Sequence, residues 1–256
     1  HVARYLQPEF FKENRRKPNA PFTSDLTKKQ VNQIMERAVM QSERYRVMKA
    51  NGASDDEIHS AFRTPTDMSV FTYHGDIDTT MTPLDSIRYV KSFLRAGFMS
   101  MDPKTGAVKA YVGGLDYSHF MYDMAMGGRR QVGSTIKPFL YSLAMENGFS
   151  PCDLAPNVQR TYMVAGQPWT PRNASHKRAG EMVTLKWGLA QSSNWVSAYL
   201  MSKLNPQQFV QLLHDYGINN PDIHPSMALC LGPCVVSVGE MVSAYTTFAN
   251  NGIRTA

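Results

Sequence analysis

Apolar residues recur at helical spacing in several stretches of the chain. Thr27-Lys28-Lys29-Gln30 reads as a capping box, and Val31, Ile34, Met35, Ala38 and Val39 then fall on one stripe that Gly52 closes. Ser54-Asp55-Asp56-Glu57 is a second capping box, opening a short helix with Ile58, Ala61 and Phe62. Thr82-Pro83-Leu84-Asp85 starts another, with a hydroxyl cap, proline at the first helical position and an acid in the first turn. Ile87, Val90 and Leu94 give it a buried face before Gly97. Helical spacing returns after residue 137 (Phe139, Leu140, Leu143, Ala144) and over 184–204, interrupted at Gln191-Ser192-Ser193-Asn194. It appears again over 206–216 and 238–250, where Asn251-Gly252 is the stop.

Alternation marks the strands. Residues 68–73 alternate, and the runs 98–101 and 107–112 flank Asp102-Pro103-Lys104-Thr105-Gly106, which predicts a hairpin. Residues 149–180 have little periodicity and are punctuated by Pro151, Pro156, Pro168 and Pro171, so a long ordered loop is expected. Prolines at 8, 18 and 21 predict a linker over 1–26. The expected division is a helical interdomain segment over 1–65 and a larger α/β domain over 66–256.

Composition narrows the class. With 256 residues, 43% hydrophobic and 19% charged, the chain has enough apolar material for a core and is not disordered as a whole. The net charge of +6 is mild and leaves nucleic acid, an anionic membrane surface and simple solvation open, solvation being the commonest explanation; no nucleic-acid partner is expected. Residues 1–64 are the more basic part, with 12 Lys and Arg against 8 Asp and Glu. Cys152, Cys230 and Cys234 are too few for a disulfide scaffold. Cys230-Leu-Gly-Pro-Cys234 lacks the second ligand pair of a zinc site; it is read as structural, with one disulfide open to it. The seven histidines show no ligand spacing, so neither metal nor cofactor is expected. No run approaches 18 apolar residues, and the chain starts at His1, so it is expected to be an excised piece whose anchors lie elsewhere.

The candidate chemistry lies where a loop gives way to the apolar run after residue 137. Ser134-Thr135-Ile136-Lys137 puts a hydroxyl and an amine three residues apart, on one helix face. Serine is a poor nucleophile until a base takes its proton, and a desolvated lysine can be that base. A helix start also offers backbone N–H groups to a developing oxyanion. Arg129 and Arg130 just before it read as solvated surface.

With Ser134-x-x-Lys137 followed by Ser192-Ser193-Asn194, the chain resembles the serine acyltransferases that react with penicillin. The stretches 102–114, 130–139, 185–194 and 239–252 look like the transpeptidase domain of class A penicillin-binding proteins, with 40–130 most like Bacteroidetes-type members. The resemblance runs from about residue 66 to the end. It implies an α+β penicillin-binding transpeptidase fold: an antiparallel sheet beginning with the 98–112 hairpin, covered by the 84–96 and 239–250 helices, beside a helical subdomain holding both motifs.

The resemblance also implies the roles. Ser134 attacks a D-Ala-D-Ala stem peptide, neutral Lys137 takes its proton, Ser192 relays a proton to the departing D-Ala, and Asn194 holds the peptide backbone and Lys137. Gly133, Ser193 and Trp169 are expected to contact substrate, Trp169 flanking the cleft with Pro171-Arg172-Asn173. The implied partners are peptidoglycan stem peptides on lipid-linked precursor and glycan strands, β-lactam antibiotics, and an upstream glycosyltransferase domain at the extracytoplasmic face of the inner membrane. The family's third motif, Lys-Thr/Ser-Gly on a strand after Asn194, has no match here. Lys104-Thr105-Gly106 precedes Ser134 and occupies the hairpin turn. The C-terminal strands are therefore expected beyond residue 256, and the isolated chain is not expected to turn over substrate. The alternatives are a β-lactamase or D,D-carboxypeptidase-like serine hydrolase, and a non-catalytic sensor or scaffold on the same fold.

Overall fold

Hydroxyl side chains cap most of the helices and so fix where each one begins. The computed structural model describes residues 1–255. They form two compact units, one of His1–Ala96 with Leu115–Phe120, the other of Gly97–Gly114 with the chain from Met121 onward.

In the first unit a π-helical turn, Val2–Leu6, runs into α1 (Gln7–Asn14). Pro8 sits in the first turn of α1, where an N–H has no partner to lose, so the expected linker is helical here. Thr27 caps α2 (Lys28–Gln41) with both bonds of the capping box present. The run predicted as one helix to Gly52 is two: Ser42 turns extended (ψ 149°) and its hydroxyl accepts from Tyr45 N–H to start α3 (Glu43–Ala50). The Ser54 box opens α4 (Asp55–Arg63), which buries Ile58 and Phe62. Strand β1 (Thr66–Val70) pairs antiparallel with β2 (Ile77–Met81), and Thr82 caps α5 (Pro83–Lys91). Helix α5 packs on α2 and α4. Gln7, 2% exposed, closes its far end: the amide donates to Ser92 O at 2.9 Å and accepts from Leu94 N–H at 2.7 Å. The boundary expected at residue 65 falls instead after Ala96, because α5 packs on α2 and α4 of the preceding segment.

The second unit opens with the predicted hairpin, β3 (Phe98–Met101) and β4 (Val108–Val112). Asp102 Oδ1 accepts from Lys104 and Thr105 N–H, and Gly106 takes φ +73°, so Lys104-Thr105-Gly106 is a turn. Strand β5 (Arg129–Gln131) leads to a 3₁₀ turn, Gly133–Ile136, and α6 (Lys137–Glu146). The expected loop 149–180 contains β6 (Leu154–Pro156) and the hairpin β7 (Tyr162–Val164) with β8 (Gln167–Trp169). These three-residue strands are too short to show alternation. Then follow β9 (Met182–Thr184), paired with β6, α7 (Leu185–Ala190), α8 (Asn194–Met201) and α9 (Pro206–Asp215). A 3₁₀ segment, Met227–Leu231, precedes β10 (Val235–Ser237), which pairs with β5, and α10 (Val238–Ala249).

Helix α10 lies on β3, as the sequence predicts. The 84–96 helix belongs to the first unit, as α5. Among the described residues the sheet expected to begin with this hairpin holds only β3 and β4, and β5–β10, β6–β9 and β7–β8 are separate antiparallel pairs. The core sits between α6, α8 and α9, where Phe139, Leu140, Val196, Leu200, Phe209 and Leu213 have no exposed surface. Cys230 and Cys234 are free thiols, so the disulfide left open to them does not form. Among the described residues no helix is long and apolar enough to cross a membrane.

Helix α7 meets α6 and α8 through Gly188. A Cβ there would lie 2.5 Å from Val196 Cγ1 and 2.9 Å from Tyr141 Oη, on side chains the core holds rigidly. Gly188→Ala is expected to destabilise the chain by about 1–3 kcal/mol through overpacking. Denaturant unfolding checks this, and an unchanged midpoint would contradict it.

Candidate active site

Two backbone frames converge on one cleft. The first continues the β5–β10 ladder past its last paired residues: Val132 N–H donates to Cys234 O and Gly133 N–H to Gly232 O, each at 3.0 Å. Gly232 is left-handed at φ +67°, and a Cβ on it would lie 2.2 Å from Gly133 O. Only glycine permits that approach. From α10, Tyr245 Oη donates to Thr135 O at 2.7 Å and pins the turn from the other side. The turn presents Ser134 exposed, while Lys137, one turn along, is 1% exposed.

The second frame holds the break between α7 and α8. Ser193 caps α8, accepting from Val196 N–H and donating to Asn157 Oδ1 at 2.9 Å. Asn157, 1% exposed, donates in turn to Lys177 O and Arg178 O. Asn173 Oδ1 accepts from Asn194 N–H at 2.7 Å and Trp195 N–H at 3.3 Å, covering two orphan donors of the helix start. Trp195 Nε1 donates to Pro171 O. So braced, Ser192 is held at φ +51°, a conformation that disfavours any side chain.

The two frames meet at one amine. Lys137 Nζ donates to Ser192 O at 2.7 Å, Ser192 Oγ at 3.0 Å and Asn194 Oδ1 at 2.6 Å. Asn194 Nδ2 donates to Arg172 O at 2.6 Å, which fixes the amide's orientation. Three acceptors match the three protons of an ammonium, yet burial pushes the Lys137 amine down to about 8. Of the three, only Ser192 Oγ can also donate, so it is the group able to exchange a proton with the neutral amine. Burial pushes the nearby Cys230 thiol up to about 12, which keeps it protonated and unreactive.

A cleft of about 160 Å³ opens beside this cage, lined by Ser134, Ser192, Asn194, Asn173, Lys177 and Trp187 among others. The structure thus brings together Ser134, Lys137, Ser192 and Asn194. Among the described residues no hydrogen bond joins Ser134 Oγ to Lys137; such bonds commonly tighten only with substrate in place. Ser193 also lines the cleft, but its hydroxyl is committed to the α8 cap and Asn157. Gly133 does not line the cleft; its backbone is engaged with Gly232. Trp169, expected at the cleft, instead sits opposite Tyr162 in the β7–β8 hairpin and packs on the core. The aromatic wall is Trp187, which the sequence reading did not single out, and neither did it single out Asn157 or Lys177.

Comparison with known proteins covers most of the chain. Residues 17–94 match the penicillin-binding protein middle domain, and residues 96–256 the penicillin-binding protein transpeptidase domain. Penicillin-binding protein 1A of Pseudomonas aeruginosa is 29% identical over 162 residues, 62% of this chain and 20% of that protein. The Neisseria meningitidis protein of the same name is 32% identical over 164 residues, 63% of this chain and 20% of its own length. The chain therefore spans about a fifth of the length of these relatives. The structure of penicillin-binding protein 1A from Haemophilus influenzae aligns with TM-score 0.58 at 29% identity, covering 61% of this chain and 23% of that one. PonA1 from Mycobacterium tuberculosis aligns with TM-score 0.52 at 28% identity, covering 62% and 44%.

The two frames predict different costs. Gly232→Ala is expected to lose about 2 kcal/mol or more of stability, since backbone has to yield. Ser192→Gly is expected to be about 1 kcal/mol more stable than Ser192→Ala, because both lose the hydroxyl but only glycine relieves the left-handed strain. Thermal unfolding of the three variants checks both, and an inverted Gly/Ala order at 192 would contradict the strain assignment.

Proposed function

From the premise that the chain belongs to the penicillin-binding protein transpeptidase family, we propose that it is the D,D-transpeptidase portion of a bifunctional cell-wall synthase. It joins peptidoglycan stem peptides through a serine acyl-enzyme, and β-lactams acylate the same serine. The observation that carries this reading is the buried Lys137 amine, bonded to Ser192 and Asn194 beside the exposed Ser134.

Neutral Lys137 takes the Ser134 proton as Oγ attacks the carbonyl of the penultimate D-Ala. The Ser134 N–H, in the first turn of its helix, is a donor placed for the oxyanion. Collapse breaks the peptide bond, and the departing D-Ala amine receives a proton through Ser192 Oγ from the Lys137 ammonium. The amine of a neighbouring stem peptide then attacks the Ser134 ester and gives up its proton to Lys137, which returns it to Ser134 Oγ. Asn194 keeps the amine in register and holds the donor backbone. In this reading the intact protein works outside the cytoplasmic membrane, with a glycosyltransferase domain upstream supplying glycan strands.

A fluorescent penicillin is expected to label the intact protein at Ser134. Ser134→Ala is expected to abolish the label and Lys137→Ala to slow it by about 10²–10⁴-fold. Below pH 8 the labelling rate is expected to rise about tenfold per pH unit, as the neutral amine fraction grows, and to level off above it. Label on another residue, or a rate indifferent to Lys137, would overturn the reading.

A further inference from the structure

We infer that Lys177 is a specificity-determining residue that reads a carboxylate on the acyl side of the donor, so that the cleft selects an anionic acyl chain. This deepens the proposed function and rests on it. Among the residues lining the cleft, Lys177 alone carries a full charge, and no Asp or Glu lines it. The nearby carboxylate, Glu181, is already engaged, accepting from Arg178 Nε at 2.8 Å. Among the described residues the Lys177 ammonium has no ion-pair partner, so its charge remains available to a ligand.

Its position is fixed from below. Lys177 N–H donates to Ser175 Oγ and Lys177 O accepts from Asn157 Nδ2, each at 3.1 Å. Asn157 is the buried side chain that also receives the Ser193 hydroxyl, next to Ser192 and Asn194. The backbone that carries the cation is therefore bonded to the frame that holds the proton-transfer groups. Lys177 belongs to the wall formed by 172–177, to which Asn194 is bonded through Arg172 O and Asn173. Asn194 holds the donor backbone in the proposed function, so a group reached by Lys177 lies on the acyl side of the scissile bond. Trp187 supplies an apolar surface in the same cleft, its outer face covered by the Arg178 guanidinium at 5.5 Å. A ligand that suits this wall has an apolar stretch and a carboxylate.

A cation at a cleft wall, with no opposing acid, discriminates by charge more than it adds raw affinity. Its effect is expected to be a few-fold, since Lys177 is exposed to solvent.

The test uses the intact protein and two penicillins that share the ring carboxylate and differ in the side chain, one benzyl and neutral, the other α-carboxybenzyl and anionic. The readout is the ratio of their second-order acylation rate constants at Ser134, followed at two salt concentrations. The expected preference for the anionic side chain is about fivefold at low salt, shrinking as salt rises. Lys177→Gln is expected to bring the ratio to about one and Lys177→Glu to invert it. A merely structural Lys177 would slow both penicillins alike and leave the ratio alone. A ratio that is the same in wild type and Lys177→Gln, with Ser134 still labelled, overturns this inference and leaves the transpeptidase reading intact. Absence of label on Ser134 with either penicillin overturns both.

Discussion

The buried ammonium of Lys137 is the point on which the rest of the site depends. A lysine amine 1% exposed has left water, and three protein acceptors replace the hydration it lost. None of the three carries a charge, so they satisfy the protons without the Coulombic pull that would restore an ordinary pKa. With burial holding the amine at about 8, roughly a tenth of it is neutral at pH 7, against about 0.03% for an unperturbed lysine. A hydroxyl nucleophile next to it then has a base within one turn of helix. A carboxylate in place of Asn194 would pair with the ammonium and remove that base.

The surroundings serve to keep this balance. Ser192 holds a left-handed conformation because α7 and α8 are fixed on either side of it. The cross-links from Asn157, Asn173 and Pro171 tie down the residues that follow it. On the other side, the Gly133–Gly232 approach and the Tyr245 bond set where Ser134 emerges. Strain and close backbone contact thus concentrate at the cleft, while the apolar interior of α6, α8 and α9 supplies the rigidity that sustains them.

Much of this was legible in the sequence, and the reasons are local. Thr27, Ser54 and Thr82 announce their helices because a capping hydroxyl acts within three residues. Ser134 with Lys137 stands out because an activated serine needs a base within one helical turn, whereas Ser192 and Asn194 stand out only through the resemblance to the penicillin-reactive acyltransferases. Ser42 was missed as a helix break, since its hydroxyl competes with a helix that the apolar stripe would otherwise continue. The division after Ala96 depends on which elements share buried faces, and a linear pattern does not encode that. Trp169 and Trp187 have the same chemistry; a strand register puts one on the core and a helix face puts the other on the cleft. Asn157 is invisible in sequence because its partners are long-range: Ser193 and the backbone of Lys177 and Arg178.

The central claim concerns one proton, and it can be followed directly. Titration of the protein labelled with ¹³C at lysine Cε, with the Lys137 signal assigned by its loss in Lys137→Arg, gives the amine's midpoint free of any reaction rate. The account predicts a midpoint near 8, well separated from the other lysines. A midpoint at the ordinary lysine value, near 10.5, would mean that Ser134 has no base beside it and would contradict the account.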